Sequence, residues 1–121
     1  MQTMPKINAT VTATDADGKW SASISPQTIE VPRGQNQIAI ALVDQTSNGP
    51  TTFNASDPVY YATGNNCPAS GKNCAALTVE SCTDTLLTID DNNGAAETIG
   101  YRLNFTYGRQ KKDLDPIIIN H

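Results

Sequence analysis

Apolar and polar residues alternate through most of this chain with the period of two that marks half-buried β-strands. Ile7, Ala9, Val11 and Ala13 occupy every second position, Asp15-Ala16-Asp17-Gly18 supplies a turn, and Trp20, Ala22 and Ile24 resume the alternation. A hairpin is the natural reading. Ser25-Pro26 breaks that run, Ile29 and Val31 form a short strand, Pro32-Arg33-Gly34 turns, and Ile38, Ile40 and Leu42 give a clear fourth strand. The segment from Asp44 to Thr52 is loop-like, with Asn48-Gly49-Pro50 at its centre, and Phe53 and Val59-Tyr60-Tyr61 mark one or two further strands. A long loop follows over residues 62 to 74. Leu77 and Val79, then Leu86, Leu87 and Ile89, give two more strand-like segments before the turn Asp90-Asp91-Asn92-Asn93-Gly94. The longest alternation runs through Ile99, Tyr101, Leu103, Phe105 and Tyr107, and its partner should be the terminal segment with Ile117, Ile118 and Ile119. That isoleucine run predicts a strand buried on both faces.

About eight or nine short antiparallel strands, with turn signals roughly every 8 to 12 residues, predict an all-β chain. The expected architecture is a single immunoglobulin-like or related Greek-key β-sandwich spanning residues 1–121. No repeat, low-complexity tail or second domain is visible. The chain is long enough to bury a hydrophobic core.

Charge narrows the possible functions. The net charge is −4, and the eight basic residues are scattered except for Arg109, Lys111 and Lys112, which a charged turn explains more cheaply than a nucleic-acid footprint. No apolar run approaches the roughly 20 residues of a membrane helix, and the N-terminus has no hydrophobic signal region, so a cytoplasmic protein that binds neither nucleic acid nor membrane is expected. Cys67, Cys74 and Cys82 fit free thiols in that compartment; Cys67 and Cys74 flank a Gly, Asn, Pro and Ser-rich loop and are placed to pair only in an oxidising one. A structural zinc site would need four ligands, and the single His is residue 121. Asp15, Asp17 and Gly18 resemble the start of a calcium loop without the rest of the ligand series, and Asp90 to Gly94 is likewise a turn. His121 is a poor member of a Ser–His–Asp or Cys–His arrangement, and a cupredoxin copper site normally needs two imidazoles. No metal or cofactor is expected.

What remains is a chemically special bond. Asp115-Pro116 joins a carboxylic acid to a tertiary amide whose nitrogen has no N–H and holds its trans planarity weakly. The Asp115 side chain lies a few bonds from its own carbonyl carbon, so nucleophile and leaving group come preassembled. Burial would disfavour the carboxylate and keep a proton available near neutral pH. Asp57-Pro58 is chemically the same bond, followed by Val59-Tyr60-Tyr61, and is assigned a structural role. The register of the final hairpin decides the environment of Asp115. With a turn formed by Gly108 to Lys112, Asp115 lies opposite Phe105 on the apolar side, a neutral acid among Leu103, Ile117 and Ile119. With a turn one residue longer, it shares the other side with Arg102, Asn104 and Thr106, ionised and paired.

The segments Trp20 to Pro26 and Ile29 to Gly34, Gly100-Tyr101-Arg102-Leu103, and above all Asp115-Pro116-Ile117-Ile118-Ile119-Asn120, resemble the bacterial DP-EP family. The resemblance spans most of the chain, and its specific motif is the C-terminal Asp-Pro-Ile-Ile-Ile-Asn. It implies a small β-sandwich that acts as a self-cleaving endopeptidase, with Asp115 the catalytic residue, Pro116 the new N-terminus and residues 116–121 retained as a strand. The family is associated with a lysine on the preceding strand region. This chain has no Lys between Lys72 and Lys111, and counting back lands near Glu97. Glu97, by orienting water or passing a proton, and Arg102, by stabilising an oxyanion, are the candidate second groups. The alternative is a non-enzymatic assembly or binding module whose C-terminal strand pairs within its own sheet or with a neighbour's, giving a homo-oligomer by strand exchange.

Overall fold

The computed structural model describes residues 5–64, 68 and 70–121. β1 (Lys6–Thr14) and β2 (Ser21–Ser25) form the expected hairpin, with Val11 opposite Ile24 and Ala13 opposite Ala22. After Ser25 the chain leaves this sheet at Pro26, and β3 (Thr28–Val31) joins the opposite one. Because β3 carries the chain away and back, β4 (Asn36–Gln45) returns to the first sheet running parallel to β1, from Lys6 beside Gln37 to Thr14 beside Gln45. β5 (Thr51–Phe53), β6 (Val59–Thr63) and the short β7 (Lys72–Asn73) belong to the second sheet. β8 (Leu77–Cys82) and β9 (Leu86–Asp91) form a hairpin on the first. β10 (Glu97–Tyr107), β11 (Gln110–Leu114) and β12 (Ile117–Asn120) complete the second.

The strand orders are β2-β1-β4-β9-β8 and β3-β12-β10-β6-β7, with β5 and β11 also paired to β10. The chain is therefore an all-β sandwich. Twelve strands appear among the described residues, more than the pattern predicts, because β5 and β7 are too short to alternate visibly and Pro116 divides the terminal segment. The sheets are mixed, not wholly antiparallel: β1 with β4, β3 with β12, and β6 with β7 run parallel.

The core follows from the alternation. Ile99, Tyr101, Leu103 and Phe105 of β10 are wholly buried against Val11, Ile38, Ile40, Leu87 and Ile89 of the first sheet. Trp20 and Phe53 pack on Phe105 with ring centroids 5.8 and 5.4 Å away. Tyr107 departs from the core expectation: it is half-buried, and its hydroxyl donates to Asp15 Oδ2 at 2.7 Å. The isoleucine run is buried on one face, with Ile118 at 0% exposure and Ile117 and Ile119 half-buried. β12 lies inside its sheet, antiparallel to β10 and parallel to β3. Burying a side chain such as Ile118 contributes about 1.5–3 kcal/mol, so the terminal strand is part of the core and not an appendage.

Candidate functional site

The geometry around Asp115 begins with the turn that precedes it. Tyr107 pairs with Gln110, so only Gly108 and Arg109 make the turn, with Gly108 at the positive φ of 58° that a tight hairpin demands. Both registers expected from the sequence are thereby corrected. Phe105 faces Lys112, Leu103 faces Leu114 and Gly100 faces Ile117, which sets Arg102 across from Asp115. Lys111 and Lys112, read as part of the turn, are residues of β11.

Arg102 and Asp115 meet directly. Arg102 Nε donates to Asp115 Oδ1 at 2.8 Å, and the two side chains are 26% and 42% exposed. Asp115 is therefore not buried among Leu103, Ile117 and Ile119. Its chemical situation is that of the paired carboxylate on the side of Arg102, reached through a shorter turn. An exposed ion pair contributes about 0–1 kcal/mol to stability, so its value lies in orientation: the guanidinium fixes Oδ1, and among the described residues no hydrogen bond holds Oδ2.

The proline side of the bond is held more firmly. Pro116 is buried, its carbonyl accepts the Tyr101 amide at 3.2 Å, and β12 follows at once. An open groove of about 350 Å³ runs along the bond, walled by Ser23, Ile24, Gln27 and Thr28 on one side and by Leu114 to Ile117 on the other. Its lining includes the hydroxyl-bearing Ser23 and Thr28 and the carboxamide-bearing Gln27.

Glu97 is not brought to this place. It starts β10, pairs with Asn120, and lies roughly 17 Å along the strand from Arg102. Its Oε1 accepts the Cys74 thiol at 3.3 Å, and burial, the largest influence, pushes that thiol up from its ordinary pKa. Cys74 and Cys82 are free thiols. The pairing of Cys67 with Cys74 considered from the sequence involves Cys67, which lies outside the described residues. Among the described residues no group of His, Cys, Asp and Glu side chains is arranged to hold a metal, and no helix is long and apolar enough to cross a membrane.

Two polar centres escape the sequence reading. Asp15, expected only to turn a hairpin, accepts the amides of Ser47 and Asn48 at 2.8 Å each as well as the Tyr107 hydroxyl. Those amides, then the hydroxyl, hold its pKa below the usual carboxylate range. Asp91, expected in a turn, ends β9 with 1% exposure and accepts the Asn120 side-chain amide at 3.0 Å. One signal was present: alternation through Ile118 puts Asn120 on the inward face, where a carboxamide needs a buried partner. No protein-family model matches the chain, and no curated protein sequence matches it.

Proposed function

We propose that this protein is a self-processing endopeptidase of the DP-EP type that hydrolyses its own Asp115-Pro116 bond in cis and keeps residues 116–121 as a bound strand. The observation that carries the reading is the Arg102–Asp115 pair, set beside a proline anchored by a clamped strand and open to a water-accessible groove. Asp115 works as a carboxylate held by Arg102, and it is the catalytic residue. Its free oxygen, Oδ2, bonds to its own backbone carbonyl carbon, the bond from that carbon to the Pro116 nitrogen breaks, and the nitrogen takes the electron pair and a proton from water. The hydroxide left behind opens the cyclic anhydride, leaving two carboxyl groups on Asp115. Charge that starts on the carboxylate moves onto the former carbonyl oxygen, and Arg102, paired with the same residue, is the group assigned to stabilise it. Glu97 has no part in this scheme, and no metal or cofactor enters it.

A second reading is favoured by the placement of β12. A strand inserted between β10 and β3, with Ile118 in the core, is suited to exchange between two copies of the chain, giving a non-enzymatic assembly module.

The deciding experiment is the intact mass of freshly purified protein under denaturing conditions, followed over days at neutral pH. Separate species 1–115 and 116–121 support self-cleavage. A single uncut mass throughout overturns it and leaves the assembly module.

A further inference from the structure

Where β9 meets the end of β12, a group of buried polar side chains joins the two sheets. Asp91, Asn93, Asn120 and Asn36 are between 0% and 2% exposed. Asp91 Oδ1 accepts both the Asn93 backbone amide and Asn120 Nδ2 at 3.0 Å. Asn93 Nδ2 donates to the carbonyls of Val31 and Pro32, and Asn36 Nδ2 donates to those of Pro32 and Gly34. Among the described residues, three side-chain oxygens here have no donor: Asp91 Oδ2, Asn93 Oδ1 and Asn120 Oδ1.

All three atoms are acceptors, so whatever matches them must carry a hydrogen, a proton on a side chain or a bound water. A buried acceptor left unmatched costs about 1–3 kcal/mol, more if charged. Asn93 Nδ2 already has both hydrogens on carbonyls, and Asn120 Nδ2 already gives one of its two to Asp91 Oδ1. A proton on Asp91 supplies a donor and removes a buried charge in the same step. The geometry favours Asn120 as the recipient: its Nδ2 already donates to one oxygen of Asp91, and its own oxygen and the second oxygen of Asp91 are the unmatched atoms of the same two groups.

We propose that Asp91 and Asn120 form a two-bonded acid–amide clasp, Asn120 Nδ2–H to Asp91 Oδ1 and Asp91 Oδ2–H to Asn120 Oδ1. The clasp is a binding site for a side-chain carboxamide. It selects, for the slot between β10 and β3, an extended strand with an aliphatic residue facing inward and an asparagine two positions later. It does not depend on cleavage, being the same in an intact and a cut chain.

The surroundings agree. Burial is the largest influence on Asp91 and pushes its pKa up; the hydrogen bonds from Asn120 and Asn93 oppose this, and the negative charge of Glu97 on β10 adds to it. None of the groups acting on it is a cation. Its strand neighbours are the neutral Asn36 of β4 and Leu77 of β8, Asn120 adjoins Val31 of β3, and the adjacent Asp90 accepts a hydrogen bond from Gln37. For an aspartate whose folded pKa is raised, the contribution to stability is full below the ordinary aspartate value and is lost as pH rises through the folded value.

The test is melting temperature against pH for the full chain and two variants, with an isotope-edited infrared spectrum of the wild type. Asp91→Asn can keep both bonds as an amide–amide pair, so at acid pH it should melt within about 4 °C of wild type and should lack the wild-type decline as pH rises. Asn120→Asp pairs two carboxyl groups, which one proton can bridge at acid pH, and should lose stability more steeply than wild type towards neutral pH. The wild type labelled at aspartate carboxyls should show a protonated carboxylic band above the ordinary aspartate range. Absence of that band overturns the proposal even if a variant fails to fold. So does wild-type stability that rises with pH through the same window, or stability that rises with added calcium in wild type and not in Asp91→Asn, which would place a cation among the oxygens.

Discussion

The molecule contains two Asp-Pro bonds, and the fold treats them differently. At Asp115-Pro116 a charged group holds the acid: Arg102 grips Oδ1 of Asp115. At Asp57-Pro58 a neutral group holds the carbonyl: Asn104 Nδ2 donates to the Asp57 carbonyl at 2.9 Å, and the Asn104 amide donates to the Pro58 carbonyl at 2.9 Å. Asp57 makes no salt bridge among the described residues, and its amide donates to Asn54 Oδ1. One aspartate is oriented through its side-chain carboxylate and the other through its peptide. Identical bond chemistry therefore acquires different prospects from the third residue, and both of those third residues come from β10.

The largest expected effect is that of Asp115→Ala, which should abolish cleavage while the fold persists, whereas Asp57→Ala should leave it unchanged. Intact mass reads both, and cutting that persists in Asp115→Ala would remove the distinction between the two bonds. Next comes the strand that follows each bond. Ile118→Ala should cost about 2–5 kcal/mol by urea denaturation, and Val59→Ala less, since it deletes a smaller side chain at an equally buried position. In a cut chain only Ile118→Ala should release the terminal hexapeptide on gel filtration. Arg102→Ala should slow cleavage about 100-fold, as loss of one group that stabilises a developing oxyanion does. Asn104→Ala should leave that rate alone, and an equal slowing in both variants would mean that β10 acts only as a scaffold.

The smallest effect is one of pH. Asp15, with its pKa held down by the amides of Ser47 and Asn48, contributes stability above the ordinary aspartate value and loses it as pH falls through the folded value. Asp15→Asn should flatten that acid-side loss in a thermal melt. The same loss remaining in the variant would assign it to another carboxylate.

Most of the sandwich was legible because burial on one face of a strand writes itself into alternation. Ile99 to Phe105, Val11 against Ile24, and Ile38 to Leu42 all occupy the positions their period predicts. The parallel pairs were not legible, since the partner of β1 is decided by where β3 carries the chain and not by any residue of β1. Turn length failed for a different reason. Arg109, Lys111 and Lys112 have the composition of a loop, yet Lys111 and Lys112 lie on β11, where charge discourages further pairing of an exposed edge. That misreading left two registers open for Asp115, one buried and one paired beside Arg102, and the two-residue turn gives the pairing through neither of them. Asp91 as the partner of Asn120 was hidden because a run of Asp, Asn and Gly signals a turn whether or not one of its aspartates points into the core.

The enclosed position of β12 bears on the kinetics of any cut form. Scission after Asp115 would leave the native contacts of the strand in place while changing the molecularity of folding. An intact chain refolds in a first-order process; a cut one has to recapture a separate peptide, so its recovery becomes second-order and its melting temperature comes to depend on protein concentration. A protein cut at that bond would be stable once assembled and slow to return after unfolding in dilute solution.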